Sequence, residues 1–273
     1  MQVTTLTGRA VTTTTGQLSP PLKWAGGKRW LLPHLEPIWR QHEGKRLVEP
    51  FVGGMAVALG LKPARALLND TNPHVINFYR WLKRGLVPEI EMANERQLYY
   101  RQRERFNMLV EREEADGKEA ASLFYYLNKT GFNGLCRFSK KGKFNVPFGR
   151  HSTINYVRDF TPYTPILAEW ELRCSGFSEL EIEEDDFVYA DPPYDVEFTQ
   201  YSAGGFSWDD QVRLAHWLAR LPSPVVASNQ ATPRILSLYG DLGFEIQILN
   251  APRMISSSGD RTPAKEMLAT RNI

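Results

Sequence analysis

The chain has 273 residues, of which 42% are hydrophobic and 12% aromatic, with a formal net charge of +2. That composition excludes intrinsic disorder, and the length allows a large core in two domains or in one domain with an insertion. Cys136 and Cys174 have neither metal-ligand spacing nor a disulfide framework, and no apolar run approaches the ~18 residues that span a bilayer, so a cytoplasmic protein without membrane association is expected.

Residues 1–19 carry seven threonines and no apolar signal core, which predicts a mobile tail rather than a leader. The first structured segment runs from Pro21 to Arg29. Gly26-Gly27 forces a tight turn that lets backbone approach a ligand closely, with Trp24 and Lys28 on either side. Such a turn alone is more often a plain connection. Residues 29–42 have a helical pattern with Pro33 early in it. Arg46 to Glu49 reads as a strand, Pro50 to Gly54 as a Gly-rich turn, and the small apolar residues after it as a helix. Ala66-Leu67-Leu68 reads as a second strand ending in Asn69-Asp70. An acid about twenty residues after glycines in a β-turn-α-β order is the pattern of a nucleoside site. The turn matches neither G-x-G-x-x-G nor a P-loop, which favours a nucleoside without phosphates. An ordinary βαβ unit has the same order.

From about residue 78 to 127 the sequence is charged and helical. Arg101, Arg103 and Arg105 are mixed there with Glu104, Glu111, Glu113 and Glu114 and read as a solvated face. Residues 128–158 differ: they hold Lys129, Arg137, Lys140, Lys141, Lys143, Arg150 and Arg158, and no Asp or Glu. Phe132, Asn133, Phe138, Phe144, Asn145 and Phe148 interleave them, and Lys140 to Lys143 reads as a hairpin tip. Cations, flat rings and glycines together are the footprint of a nucleic-acid surface. An acidic run from Glu179 to Asp186 follows, expected as a solvated approach to a strand.

That strand is Phe187-Val188-Tyr189-Ala190, which runs into Asp191-Pro192-Pro193-Tyr194. It is apolar and too short for a helix, so it predicts a buried strand stopped by the prolines. Asp191 then stands at a strand's carboxyl end, where open α/β sheets bind ligands. Asp191 and the Pro192 carbonyl can accept the two hydrogens of a planar NH2 group while the Tyr194 ring stacks on its carrier. Beyond a loop through Phe198 to Gly204, Asp209 and Asp210 sit in the first turn of a helix. Strands at 224–229 and 244–249, a helix at 233–239 and a polar loop at 253–261 follow. Residues 267–270 are expected to close a mostly parallel α/β sheet.

Taken in order, L-K-W-A-G-G-K, L-V-E-P-F-V-G-G, L-N-D, L-N-K-T-G-F-N-G-L-C-R-F, G-K-F-N-V-P-F-G-R and Y-A-D-P-P-Y resemble the Dam-type, alpha-class DNA adenine N6-methyltransferases. The resemblance covers Leu22 to about Ala269. It implies a Rossmann-like S-adenosylmethionine-dependent methyltransferase sheet, 20–77 with 172–273, and an inserted, mainly helical target-recognition domain, 78–171. It implies double-stranded DNA as partner, adenine in GATC as target and no metal. Matched by motif, the cofactor set is Trp24, Ala25, Gly26, Gly27, Lys28, Glu49, Pro50, Phe51, Gly53, Gly54, Asp70 and Asp191. The catalytic set is Asp191, Pro192, Pro193 and Tyr194. The DNA set is Lys23, Phe132, Asn133, Leu135, Arg137, Lys140, Lys141, Lys143, Pro147 and His151.

Four positions depart from the family pattern. Phe132 and His151 stand where tyrosine and another aromatic are common, and Ser228-Asn229-Gln230-Ala231 replaces S-N-H-D, a segment expected to be peripheral to D-P-P-Y. Related sites methylate RNA or protein glutamine. Aspartate before P-P-Y and the basic aromatic segment argue against a protein substrate. A DNA-binding module without activity would have lost Asp191 or Lys28. A cognate restriction endonuclease is a further candidate partner.

Overall fold

A computed structural model of the chain describes residues 9–10, 18–194, 205–252 and 264–273. The expected loops at 198–204 and 253–261 lie outside the described residues, as does most of the expected tail.

In chain order the strands and helices are β1 (Arg9–Ala10), α1 (Leu32–Arg40), β2 (Arg46–Glu49), α2 (Ala56–Leu61), β3 (Ala66–Asn69) and α3 (Pro73–Lys83). Then come α4 (Arg96–Glu111), α5 (Lys118–Thr130), β4 (Asn155–Tyr156), α6 (Thr164–Leu167), β5 (Trp170–Arg173) and β6 (Asp186–Ala190). The chain ends with α7 (Trp208–Ala219), β7 (Val225–Gln230), α8 (Pro233–Asp241), β8 (Glu245–Ala251) and β9 (Ala264–Arg271). It divides into two compact units: Met1–Gly27 with Gly53–Met55 and Asn72–Ala168, and Lys28–Val52 with Ala56–Thr71 and Glu169–Ile273.

The second unit is a seven-stranded sheet in the order β5-β3-β2-β6-β7-β9-β8. The first five of these strands pair in parallel, and β9 is antiparallel to both β7 and β8. The last strand therefore enters between β7 and β8 instead of extending an edge. Every residue of β6 is buried, as expected of a strand covered on both faces. Strand order reverses between β2 and β6, so their carboxyl ends flank the crevice where such sheets bind ligands. Val48, Val188, Leu214, Leu218, Val225 and Ile235 belong to the core around these strands. The Ser207 hydroxyl accepts from the Asp210 amide and Asp210 accepts from the Ser207 amide, so α7 begins with a capping box where acids were expected.

One expectation is corrected here. Asp186 is not a solvated acid but is fully buried. Arg46 donates to it from Nε at 2.7 Å and Nη2 at 2.8 Å, and the Glu183 amide donates at 2.8 Å. A buried carboxylate needs such a fork, and it joins the starts of β2 and β6.

The first unit packs α3, α4 and α5 around aromatic rings. Phe78 and Tyr125 stack with centroids 5.5 Å apart, and Phe160 meets both edge-on. Asn72 caps α3 by accepting from the amides of His74 and Val75, with Pro73 at the first position. Two described pieces of the expected tail are tied down in this unit. Arg9–Ala10 pairs in parallel with Asn155–Tyr156, and the Ser19 carbonyl accepts from the Tyr163 hydroxyl at 2.6 Å beside buried Leu18.

Candidate active site

In the second unit, Asp191 follows β6 directly. Its Oδ1 receives two donors, Lys28 Nζ at 3.0 Å and Ser228 Oγ at 2.9 Å. Among the described residues no donor reaches Oδ2. Burial raises the Asp191 pKa, opposed by the charge and hydrogen bond of Lys28 and by the hydroxyl of Ser228. Lys28 is only 4% exposed, lies 3.9 Å from Glu266 Oε2, and sits 4.6 Å from the centroid of the Tyr194 ring. The Tyr194 hydroxyl donates to Glu266 Oε2 at 2.6 Å. Burial, then the charges of Asp191 and Glu266, raise the Tyr194 pKa, so the phenol stays protonated and donates.

The two prolines divide their carbonyls between different tasks. Pro193 O accepts from Gln211 Nε2 at 2.8 Å, and Asn229 Nδ2 holds Gln211 Oε1 at 3.0 Å. Buried Pro192 receives no donor to its carbonyl from the described residues. Asp191 Oδ2 and Pro192 O are thus the open acceptors at the end of the central strand.

Glu49 ends β2 and is 3% exposed, and its Oε1 has no hydrogen-bond partner among the described residues. Burial pushes its pKa up to about 8, against an Ala58 backbone hydrogen bond and with help from the Asp191 charge. Because the folded value lies above the unfolded one, the folded chain holds an extra proton between the two. Stability is therefore expected to fall as pH rises from about 4.5 to about 8, by up to about 1.4 kcal/mol per pH unit from this group. Denaturant unfolding at a series of pH values checks this: Glu49→Gln should flatten that decline, and an unchanged slope would contradict it. Asn69, buried at the end of β3, donates to Pro50 O and Ser175 O at 3.0 Å each and so fixes the strand ends beside half-buried Asp70. Phe51 packs edge-on against Phe206 and tilted against Phe177.

In the first unit the glycine turn lies against the Trp24 side chain. A Cβ on Gly53 would stand 2.6 Å from Trp24 Nε1, and one on Gly54 2.8 Å from Trp24 Cβ. Both glycines make room for the Trp24 side chain. Ala25, Gly26 and Gly27 form an exposed turn, with Gly26 at φ +76°.

The same unit gathers much of the expected DNA set. Asn128 accepts from the Lys23 amide at 2.8 Å and donates to the Lys23 carbonyl at 2.9 Å and the Gly134 carbonyl at 3.3 Å. Lys23 Nζ reaches Lys129 O at 2.7 Å and His151 Nε2 at 3.3 Å. Burial lowers the Lys23 pKa and, aided by the Lys23 charge, pulls Lys129 down to about 8. Phe132 is 46% exposed, and its amide donates to Pro147 O at 2.9 Å. Asn133 and Gly134 are left-handed, at φ +52° and +64°. Leu135 is half-buried, and Arg137 gives Nε and Nη2 to the side chain and carbonyl of Asn145 at 2.7 and 3.1 Å.

The expected tip is a tight turn, with the Ser139 amide donating to Lys143 O at 2.8 Å. Lys140 and Lys141 are exposed there, but Lys143 pairs with Glu111 at 2.6 Å. The three lysines are therefore not equivalent.

Sequence reasoning missed Ser228, Tyr189, Glu266, Gln211, Asn229 and Asn128. The segment 228–229, expected to be peripheral, touches Asp191 directly and Pro193 through Gln211. Its signal was a pair of polar residues ending the apolar run Val225-Val226-Ala227.

Residues 24–255 match the family described as D12 class N6 adenine-specific DNA methyltransferase. The retron Ec67 DNA adenine methylase of Escherichia coli is 36% identical over 274 residues, covering 92% of this chain and 91% of that protein. The DNA N-6-adenine-methyltransferase of Escherichia phage P1 is 36% identical over 258 residues, 87% of this chain and 33% of that protein, so this chain spans about a third of that relative. Among solved structures, 23S rRNA methyltransferase ErmE aligns at a TM-score of 0.39 and 10% identity, over 89% of this chain and 68% of that one. With its sheet, its D-P-P-Y end and a match across most of its length, the chain belongs to the D12 class N6 adenine-specific DNA methyltransferases.

Proposed function

We propose that the chain methylates N6 of adenine in double-stranded DNA, with S-adenosylmethionine as donor, GATC as target and the adenine swung out of the helix. The observation that carries this reading is the pair of open acceptors, Asp191 Oδ2 and Pro192 O, at the carboxyl end of β6. An exocyclic amine is a poor nucleophile because its lone pair is delocalised into the ring. Two acceptors on its hydrogens favour a pyramidal nitrogen with the lone pair directed away from the ring, which is preorganised electrostatics combined with positioning. The amine is out of reach inside a duplex, so the base must leave the stack, and Tyr194 offers a ring to receive it.

The donor fits the residues present. Glu49 Oε1 is buried with no partner among the described residues, and a cationic ligand beside it would favour its ionised form. When bound, S-adenosylmethionine supplies an electrophilic methyl on a sulfonium. Glu49, Asp70, Lys28 and Asp191 are the residues of the sheet unit assigned to hold it. Trp24 and the glycine turn join them on the strength of the family motif alone.

For DNA, the proposal assigns the first unit to target recognition. With Nε and one hydrogen of Nη2 engaged by Asn145, the guanidinium of Arg137 is held at a fixed angle, and its outer edge suits O6 and N7 of guanine. Leu135 suits a thymine methyl, and exposed Phe132 suits the gap left by the departing adenine. Lys140 and Lys141 suit phosphates as point charges.

Incubating plasmid DNA with the purified chain and S-adenosylmethionine should place N6-methyladenine at GATC, as mapped by modification-sensitive sequencing. Absence of N6-methyladenine would refute the reaction, and its presence at other sites would refute the target. On duplexes altered one base pair at a time, Arg137→Ala should lose about 1–3 kcal/mol of discrimination at one guanine. Lys140→Ala should weaken all sequences alike and reduce the salt slope by about one. Unchanged guanine discrimination by Arg137→Ala would overturn its assignment.

A further inference from the structure

We infer that Ser228 is a positioning residue: its hydroxyl, itself held by Tyr189, fixes the Asp191 carboxylate so that Oδ2 is the oxygen left for the substrate amine. This rests on the proposed adenine methylation and adds a residue to which the D-P-P-Y motif does not point.

The register of the sheet puts the parts together. Tyr189 pairs with Val226 and Ala190 with Ala227, so Ser228 comes next on β7, opposite Asp191 just beyond β6. Ser228 is 1% exposed and Tyr189 2% exposed, and their hydroxyl oxygens are 2.9 Å apart. Two buried hydroxyls in a run of valines and alanines are costly unless each finds a partner. Here the partners form a single chain that ends on the catalytic carboxylate.

Counting protons gives the chain a direction. An ionised carboxylate only accepts, so Ser228 spends its one hydrogen on Asp191 Oδ1. The Tyr189 hydroxyl must then be the donor to Ser228 Oγ. Burial and the Asp191 charge keep the Tyr189 phenol protonated, as that role requires. Lys28 also donates to Oδ1, so two donors load one oxygen and leave the other open. The neighbouring Asn229 acts in parallel, holding the Gln211 amide that occupies Pro193 O. One dipeptide thereby determines which acceptors of D-P-P remain available.

Among the described residues, the charged and titratable groups facing Asp191 are Lys28, Glu49, Glu266, Tyr189 and Tyr194. Lys28 is the one cation among them, so the Ser228 hydrogen bond is a main neutral contribution keeping Asp191 ionised. Removing it should raise the acid limb of kcat/KM, which reports the free enzyme's essential acid and base groups.

The test compares wild type, Ser228→Ala and Tyr189→Phe in methyl incorporation into GATC duplexes across pH. Ser228→Ala should lower kcat about ten- to a hundredfold, the size of one hydrogen bond to a charged group. Its KM for S-adenosylmethionine should be unchanged and its acid limb should move to higher pH. Tyr189→Phe, which leaves Asp191 and Ser228 intact, should move the limb the same way by less. If wild type methylates no adenine, the proposed function falls and this inference with it. If wild type is active and Ser228→Ala matches it in kcat and acid limb, the inference alone is overturned. Should Ser228→Ala fail to fold, Tyr189→Phe decides, and an acid limb identical to wild type counts against the relay.

Discussion

Asp191→Ala is expected to abolish measurable methylation while the protein still folds. The substitution removes one of two acceptors on the amine, and loss of one comparable preorganised group costs about 3–4 kcal/mol in other enzymes, or roughly two to three orders of magnitude in kcat. A second effect adds to this. Lys28, 4% exposed, loses the carboxylate 3.0 Å from its Nζ, while Glu266 Oε2 stands farther off at 3.9 Å. Removing one member of a buried ion pair is destabilising, by about 3–5 kcal/mol when burial is complete. Asp191→Asn separates the two contributions, because it retains the shape and one oxygen acceptor but no charge. Single-turnover methyl transfer should order the chains as wild type, Asn, Ala, while chemical denaturation reports the ion pair. Near-normal turnover by Asp191→Ala would exclude the proposed role of its carboxylate.

The sheet was legible in the sequence wherever burial and punctuation agreed. Phe187 to Ala190 is apolar throughout and ends in two prolines, so its place as a central strand followed from composition alone. The acids at 209 and 210 located the start of α7, because an N-terminal carboxylate caps amides and meets the helix dipole. What escaped was the pairing of single polar residues across the sheet. Ser228 lies 37 positions from Asp191, and Glu266 lies 72 from Tyr194. Nothing local to either residue says which carboxylate or phenol it will meet, because the strand order that joins them is a tertiary fact.

Asp186 failed for a related reason. Six acids between 179 and 186 look uniformly solvated until the register sets Arg46 opposite the last of them. The glycines at 53 and 54 were recognised as places of close approach, but a sequence does not distinguish a ligand from the Trp24 side chain. The motifs named Lys28 and Asp191 separately, and only the tertiary structure sets them 3.0 Å apart. The Tyr194 ring lies beside Lys28 and its hydroxyl on Glu266, which adds a role for the phenol that stacking alone does not require.

That phenol changes the expectation for Tyr194. Tyr194→Ala should be severe: the stacking surface for a base is worth roughly 1–3 kcal/mol, and the Lys28 ammonium also loses the ring it lies over. Judged by ring shape alone, Tyr194→Phe would be nearly silent. Yet the hydroxyl donates at 2.6 Å to Glu266, whose pKa burial raises and the phenol lowers. Removing a hydrogen bond to a charged group typically costs about 1.5–3 kcal/mol. The expected order is therefore wild type, Phe, Ala, with Phe clearly impaired and its loss greatest at low pH, where Glu266 without its donor protonates and no longer helps hold Lys28. A double-mutant cycle with Glu266→Gln measures this directly, since residues sharing one network are non-additive. Fluorescence of 2-aminopurine at the target position reports base extrusion separately from methyl transfer. Tyr194→Ala should lose both signals, whereas Tyr194→Phe should retain extrusion and lose transfer rate. Full turnover by Tyr194→Phe together with strict additivity in the cycle would leave the ring as the only contribution of this residue.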